Sequence, residues 1–319
     1  MSGTTTSPPP TIIIGRFSGS LKNNTPKKKT AIFSSWQDNR TKLVGEDLAA
    51  TGNLKLDHHF DGLELDTVHY PHDKARDFMH RIDEAVVDNA STYIKDSSPD
   101  LSWVYLEYTD DMGHAHGDSP EFYKAVEMMD RQMGRLWEAI QLRRQKFKED
   151  WTIFITTDHG RTASTGKGHG GQSDRERNTW IVTNARGLND YFTTGNPGIV
   201  DIMASIAGIL KINIPKHQLM EVDGIRLTGT LSAINPHATF DNGKLNITWK
   251  ATAAGKGKAK IWVTTTNHFK EGGKDDYTLV ATVPVARQTA VIDVVDKSSS
   301  FYKIVIETPN NFLNTWINK

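Results

Sequence analysis

The sequence predicts an α/β domain, with a mostly parallel sheet flanked by helices, followed by a small all-β sandwich. Two observations carry this reading. Between residues 30 and 229, short apolar runs alternate with amphipathic stretches, the pattern of strands joined by crossover helices. From Leu231 onward helical spacing disappears. Short β-rich runs there are separated by turn signals at Asp241-Asn242-Gly243, Gly255 to Gly257, Gly272-Gly273 and Pro309. The expected organisation is a flexible lead-in over residues 1–29, an α/β domain over 30–229 and a β-sandwich over 230–319.

The lead-in opens MSGTTTSPPP, a Pro/Ser/Thr-rich stretch that reads as flexible, and a basic run spans residues 22–29. No basic region followed by an apolar one stands at its start, so it does not encode a secretory signal peptide. Strands are expected at 30–36, 103–109, 151–157 and 180–183. Between them Phe78, Ile82, Ala85, Val86 and Tyr93 recur at helical spacing and should face the sheet. The clearest helix starts after Ser119, a good N-cap, with Pro120 at its first position. It continues through Phe122, Val126, Met129, Met133, Leu136, Trp137 and Ile140. A further helix over 199–210 precedes Pro215 and the Asp223-Gly224 turn, where the α/β pattern stops. The β runs that follow are 245–251, 259–265, 277–283, 289–295 and 301–307, with Trp249, Trp262 and Tyr302 expected in the core.

Composition narrows the chemistry. With 38 Lys+Arg against 38 Asp+Glu, no global charge draws the protein to a nucleic-acid polymer or an anionic membrane. No stretch approaches the roughly 20 apolar residues of a membrane span. The absence of cysteine removes disulfides, thiolate catalysis and cysteine zinc sites together, leaving 12 histidines and the carboxylates as metal ligands.

Two motifs use those ligands. In WVYLEYTDDMGHAHGDS a strand ends and delivers Asp110 and His114 in the spacing D-x-x-x-H, with Gly113 available for a tight loop that turns both toward one ion. In WTIFITTDHGRTASTGKGHGGQS another apolar strand ends in Asp158-His159-Gly160, and a glycine-rich loop returns with His169. Either motif alone is weak, since Asp and Gly are natural turn residues. Their convergence at the C-terminal ends of two strands, where open α/β sheets place their sites, points to a metal centre. Arg161 and Lys167 could add donors for an anionic ester, although loop surface charge is the commoner fate of such residues. His116 reads as solvent-facing. His58-His59 and the His69/His72 pair read as pocket lining or surface, the first for want of an apolar strand to fix it.

These motifs, in this order, resemble the alkaline phosphatase superfamily, and within it the type I phosphodiesterase/nucleotide pyrophosphatase branch, over roughly residues 31–227. The segments FSSWQDNRTKLVGE and DGLELDTVHYPHD resemble bacterial members whose catalytic domain precedes a β-sandwich. The resemblance implies a zinc-dependent hydrolase acting through a covalent phospho-enzyme. Asp110, His114 and His169 fall on the family's first metal site, and Asp158 and His159 on its second. It further implies an Asp ending an N-terminal strand and a Thr or Ser nucleophile, and neither is expected here. No Asp precedes Asp38, Asp61 follows His58-His59-Phe60 rather than an apolar strand, and Ser34 and Ser35 lie in or at the end of a strand. The domain therefore reads as N-terminally incomplete, lacking its central strand and nucleophile, with one Zn²⁺ well held and a second site half formed.

The leading expectation is a hydrolase of phosphodiester or pyrophosphate bonds, impaired in this chain, with a small phosphoester as substrate and, from the resemblance, a periplasmic or other extracytoplasmic setting. The alternatives are a sulfatase or phosphomonoesterase of the same superfamily, and a non-catalytic metal- or glycan-binding protein whose C-terminal domain contacts a glycan or cell surface.

Overall fold

The structure, a computed structural model, describes residues 28–294 and 299–319. The expected lead-in therefore lies almost wholly outside the described residues. The chain divides into two compact units between Thr183 and Asn184.

In the first unit β1 (Thr30–Ser34) lies between β2 (His58–Phe60) and β3 (Leu101–Tyr105), all parallel, with Ile32 opposite both His59 and Trp103. All five β1 residues are buried, as a parallel strand covered on both faces requires. His58-His59 is thus in a strand after all, fixed by its ladder to β1. Three residues leave no periodicity to read. The His58 ring stacks on Tyr93 at 4.0 Å, and its Nε2 lies 3.2 Å from Asn89 Oδ1. Helix α1 (Asp77–Ser97) buries Phe78, Ile82, Val86, Ala90 and Ile94 against Phe33. Helix α2 (Tyr108–His116) follows β3, and helix α3 (Pro120–Phe147) adds Leu136, Ala139 and Ile140 to the same core. Ser119 caps α3 as expected, its Oγ accepting from Phe122 N at 3.2 Å with Pro120 next in line.

Strand β4 (Phe154–Thr156) pairs antiparallel with β5 (Ile181–Thr183), a departure from the expected parallel run. Between them the only helix, α4 (Asp174–Arg177), has four residues, so that segment folds as a loop with no long crossover helix.

The second unit opens with α5 (Asp190–Thr194), α6 (Val200–Ile209) and α7 (Lys216–Leu219). It continues as all-antiparallel β structure in two sheets. One holds β6 (Ala233–Asp241), β7 (Lys244–Ala251) and β10 (Thr289–Asp293); the other holds β8 (Lys258–Thr264), β9 (Thr278–Pro284), β11 (Phe301–Glu307) and β12 (Phe312–Asn318). In β11 five consecutive residues, Tyr302 to Ile306, are buried, so both of its faces are covered. Segment 220–223 helps cover one of them. Glu221 pairs with Lys303 and accepts from Tyr277 Oη at 2.9 Å, while Asn314 Nδ2 donates to the Val222 carbonyl. The change to all-β structure falls at Ala233, whereas the division into compact units falls earlier.

Trp249 and Tyr302 are core residues as expected, and Trp249 Nε1 donates to the Val285 carbonyl at 2.8 Å. Trp262 is not: it alternates outward between Ile261 and Val263. Its ring lies under Lys216 at 4.3 Å and its Nε1 donates to Glu307. The Trp249 ring is buried, whereas the Trp262 ring is half-buried with Lys216 over it. Among the described residues no helix is long and apolar enough to cross a membrane.

Candidate metal centre

All five sequence-predicted ligands lie in the first unit. Asp110 and His114 sit on α2, not on a tight loop. Their D-x-x-x-H spacing is the i,i+4 spacing of a helix, which stacks both side chains on one face. Gly113 serves a different purpose, because a Cβ there would stand 2.0 Å from Arg161 Cζ.

The start of α2 is held by Asp83, a fully buried carboxyl on α1. It accepts from the backbone N–H groups of Glu107 at 3.1 Å and Tyr108 at 2.9 Å, and from Ser35 Oγ at 2.5 Å. Residues at the end of β1, on α1 and at the start of α2 are thereby joined at one point. Burial pushes the Asp83 carboxyl up to about 7. Glu107 is likewise pushed to about 7, first by burial, while accepting from Tyr105 Oη at 2.5 Å.

His169 arrives on the loop after β4. Gly160 N donates to the Glu176 carbonyl at 2.8 Å, and Thr162 N to the Gly168 carbonyl at 2.8 Å, closing the loop on itself. Arg175 ties it to Asp118 at 2.5 Å. The glycine of Asp-His-Gly is required by packing, since a Cβ at Gly160 would stand 1.9 Å from the Arg175 carbonyl oxygen.

The result is convergence. His114 Nε2 lies 3.0 Å from His169 Nε2 and 3.2 Å from Asp110 Oδ2, and His169 Nε2 lies 3.6 Å from Asp110 Oδ1. Three ligand atoms of Asp110, His114 and His169 fall within 4.8 Å of one another, so the triad could hold a metal ion. A tetrahedral ion with bonds of about 2.0 Å separates its ligand atoms by about 3.3 Å. The 3.0 Å between the two imidazole nitrogens and the 3.2 Å from His114 to Asp110 Oδ2 are close to that value, and two imidazoles with one carboxylate are a donor set that leaves a position for water or substrate. Burial, then the neighbouring His159, hold His169 below the ordinary imidazole range, which favours the neutral ring that a metal requires.

His159 flanks this triad. Its ring stacks on His169 at 3.7 Å, and its Nε2 lies 3.8 Å from Asp110 Oδ1 and 3.6 Å from Asp158 Oδ1. Asp158 is the most open of the five, its side chain 64% exposed. Arg161 is no surface charge: it is buried and donates to Asp110. Lys167 is exposed, as expected.

A family model described as type I phosphodiesterase / nucleotide pyrophosphatase matches residues 4–224. The chain belongs to this family. The match takes in every residue of the centre and ends before the all-β strands begin. No curated protein matches the chain. Among solved structures it is similar to a phosphoglycerate mutase of Leishmania mexicana determined at low cobalt concentration, with 13% identity and a TM-score of 0.38. That likeness covers 62% of this chain, which spans 37% of the length of the mutase.

Sequence reasoning does not single out Asp83 or Glu107, and it offers Arg161 only as a possible donor to an ester or as loop surface charge. Asp83 did leave a signal. It lies within the apolar stripe of α1, between Met79 and Val87 at helical spacing, where a carboxylate needs a reason.

Proposed function

We propose that the protein is a metal-dependent hydrolase of phosphodiester or pyrophosphate bonds, of the two-zinc, covalent phospho-enzyme type, with the activity impaired in this chain. The observation that carries the reading is the convergence of Asp110, His114 and His169 within a family of phosphodiesterases. Asp110, His114 and His169 would hold the first ion, and Asp158 with His159 would contribute to a second. Bound zinc supplies Lewis acidity toward the phosphoryl oxygens and a site for an oxygen nucleophile.

The chain's own groups do the rest. The rings of His169 and His114 offer nitrogen lone pairs, the exposed Asp158 leaves the second position open to solvent and substrate, and the glycine loop keeps His169 against α2. Among the described residues, the hydroxyls at the end of β1 support the impairment. Ser34 Oγ donates to the Trp36 carbonyl at 2.8 Å and accepts from Asn39, and Ser35 Oγ is engaged by Asp83. Both serines are fully buried, so neither is free to attack a phosphoester. We extend the reading to a small phosphoester substrate, an extracytoplasmic setting in a bacterium, and a β-sandwich formed by the two C-terminal sheets.

The test is hydrolysis of bis(p-nitrophenyl) phosphate with added zinc, paired with metal analysis. About one tightly held zinc per chain and slow turnover are expected, with Asp110→Asn and His169→Ala each losing the metal. Two tightly held ions with fast turnover abolished by Asp158→Ala would reject the impairment, and no zinc at all would reject the hydrolase reading.

A further inference from the structure

Arg161 follows directly on the Asp-His-Gly segment, and its side chain is only 9% exposed. Its guanidinium touches three pieces of the centre. Nη2 donates to the Asp110 carboxylate and, at 2.8 Å, to the Asp110 carbonyl; Nη1 donates to the Lys167 carbonyl at 3.3 Å. Cζ lies 5.7 Å from the centre of the Phe122 ring on the first turn of α3. One planar group thus links the exit of β4, the carboxylate and backbone of α2, and the loop two residues before His169. The approach exists only because residue 113 has no side chain, for a Cβ there would overlap the guanidinium.

The carboxylate is shared in a definite way. Asp110 Oδ1 takes Arg161, while Oδ2 faces His114 Nε2 at 3.2 Å. A guanidinium presents donors in a rigid fork, so it fixes a carboxylate in orientation as well as in charge. We propose that Arg161 is a positioning residue for the metal centre: it holds the Asp110 carboxylate and the His169 loop in their ion-binding arrangement, and Gly113 admits it. This rests on the reading of the triad as a metal centre. The opposite role, in which the guanidinium occupies Asp110 in place of an ion, gives effects of opposite sign.

The experiment measures zinc affinity by competition with a chelating dye for the full chain, Arg161→Gln, Arg161→Lys and Gly113→Ala, with melting temperatures recorded in EDTA. Arg161→Gln and Gly113→Ala are expected to weaken zinc binding by about 10–100-fold, the usual effect of removing a partner that orients a metal ligand. Arg161→Lys should fall between, since an ammonium keeps the charge without the fork. Gly113→Ala approaches the same contact from the other side while adding a better helix former to α2, so it carries the test if Arg161→Gln does not fold. Lower melting temperatures with unchanged zinc affinity mean a structural role alone and overturn the proposal, as does tighter zinc binding by Arg161→Gln. If the wild-type chain binds no zinc, the metal-centre reading falls and the proposal with it. If the wild type binds and the variants match it, only the role of Arg161 falls.

Discussion

Asp83 shows how one buried carboxyl can organise a site it does not enter. It faces Ser35 just after β1, the Glu107 and Tyr108 amides at the start of α2, and the charge of Asp111, with burial as the largest influence on its proton. Because it is raised to about 7, the folded state binds this proton more tightly than the unfolded chain, whose Asp titrates near 4. Its stabilising contribution is therefore complete below about pH 4 and is lost as pH rises through about 7. Asp83→Asn imitates the protonated form, so in EDTA the melting temperature of the variant should fall less than that of the wild type between about pH 5 and 8. Parallel curves for the two proteins would show that Asp83 does not titrate in that window. The meeting of Asp110, His114 and His169 was legible because metal-binding residue types stand at the ends of two apolar runs in the sequence. The place of Arg161 was not, because its burial depends on a tertiary approach to Gly113 that no spacing encodes.

Among elements, those that carry their own start signals were the ones read well. Helix α3 announces itself with Ser119 and Pro120, and Ser119→Ala should cost about 1 kcal/mol by urea denaturation, the typical value of a lost cap. A change under about 0.3 kcal/mol would show that α3 is held by packing alone. Strand β6 was missed because Pro236 breaks the pattern of a strand. The fold accommodates it at a bulge between Ile234 and His237, with Asn235 at φ 54°. Strand β12 was missed because it follows the turn signal at Pro309 and alternates Leu313, Thr315 and Ile317 with polar neighbours and Trp316. Asp61, set aside as a metal ligand on sequence grounds, is a structural anion. Arg40 holds it at 2.6 Å and also reaches Glu46 at 2.9 Å.

For the whole molecule, the informative boundary is the compact division at Thr183/Asn184 rather than the change in secondary structure at Ala233. Sequence periodicity reports the second and is blind to the first, which depends on contacts such as Glu221 with Lys303. A fragment over 184–319 is expected to melt cooperatively by circular dichroism. One over 230–319 loses segment 220–223, which pairs Lys303 and helps cover one face of β11, and should melt at a lower temperature. Equal melting temperatures for the two fragments would place the boundary near residue 230 instead. The double burial of β11 has a consequence for the chain before it folds. FYKIVIE is a seven-residue run of high β-propensity with no glycine or proline and one charge of each sign, the composition that pairs with copies of itself when exposed. Lys303, neutralised by Glu221 in the folded unit, stands unpaired within that run in the unfolded chain, where a charge opposes stacking between chains. In the folded unit, burial of both faces and the pairing of Lys303 with Glu221 take this run out of reach of other chains.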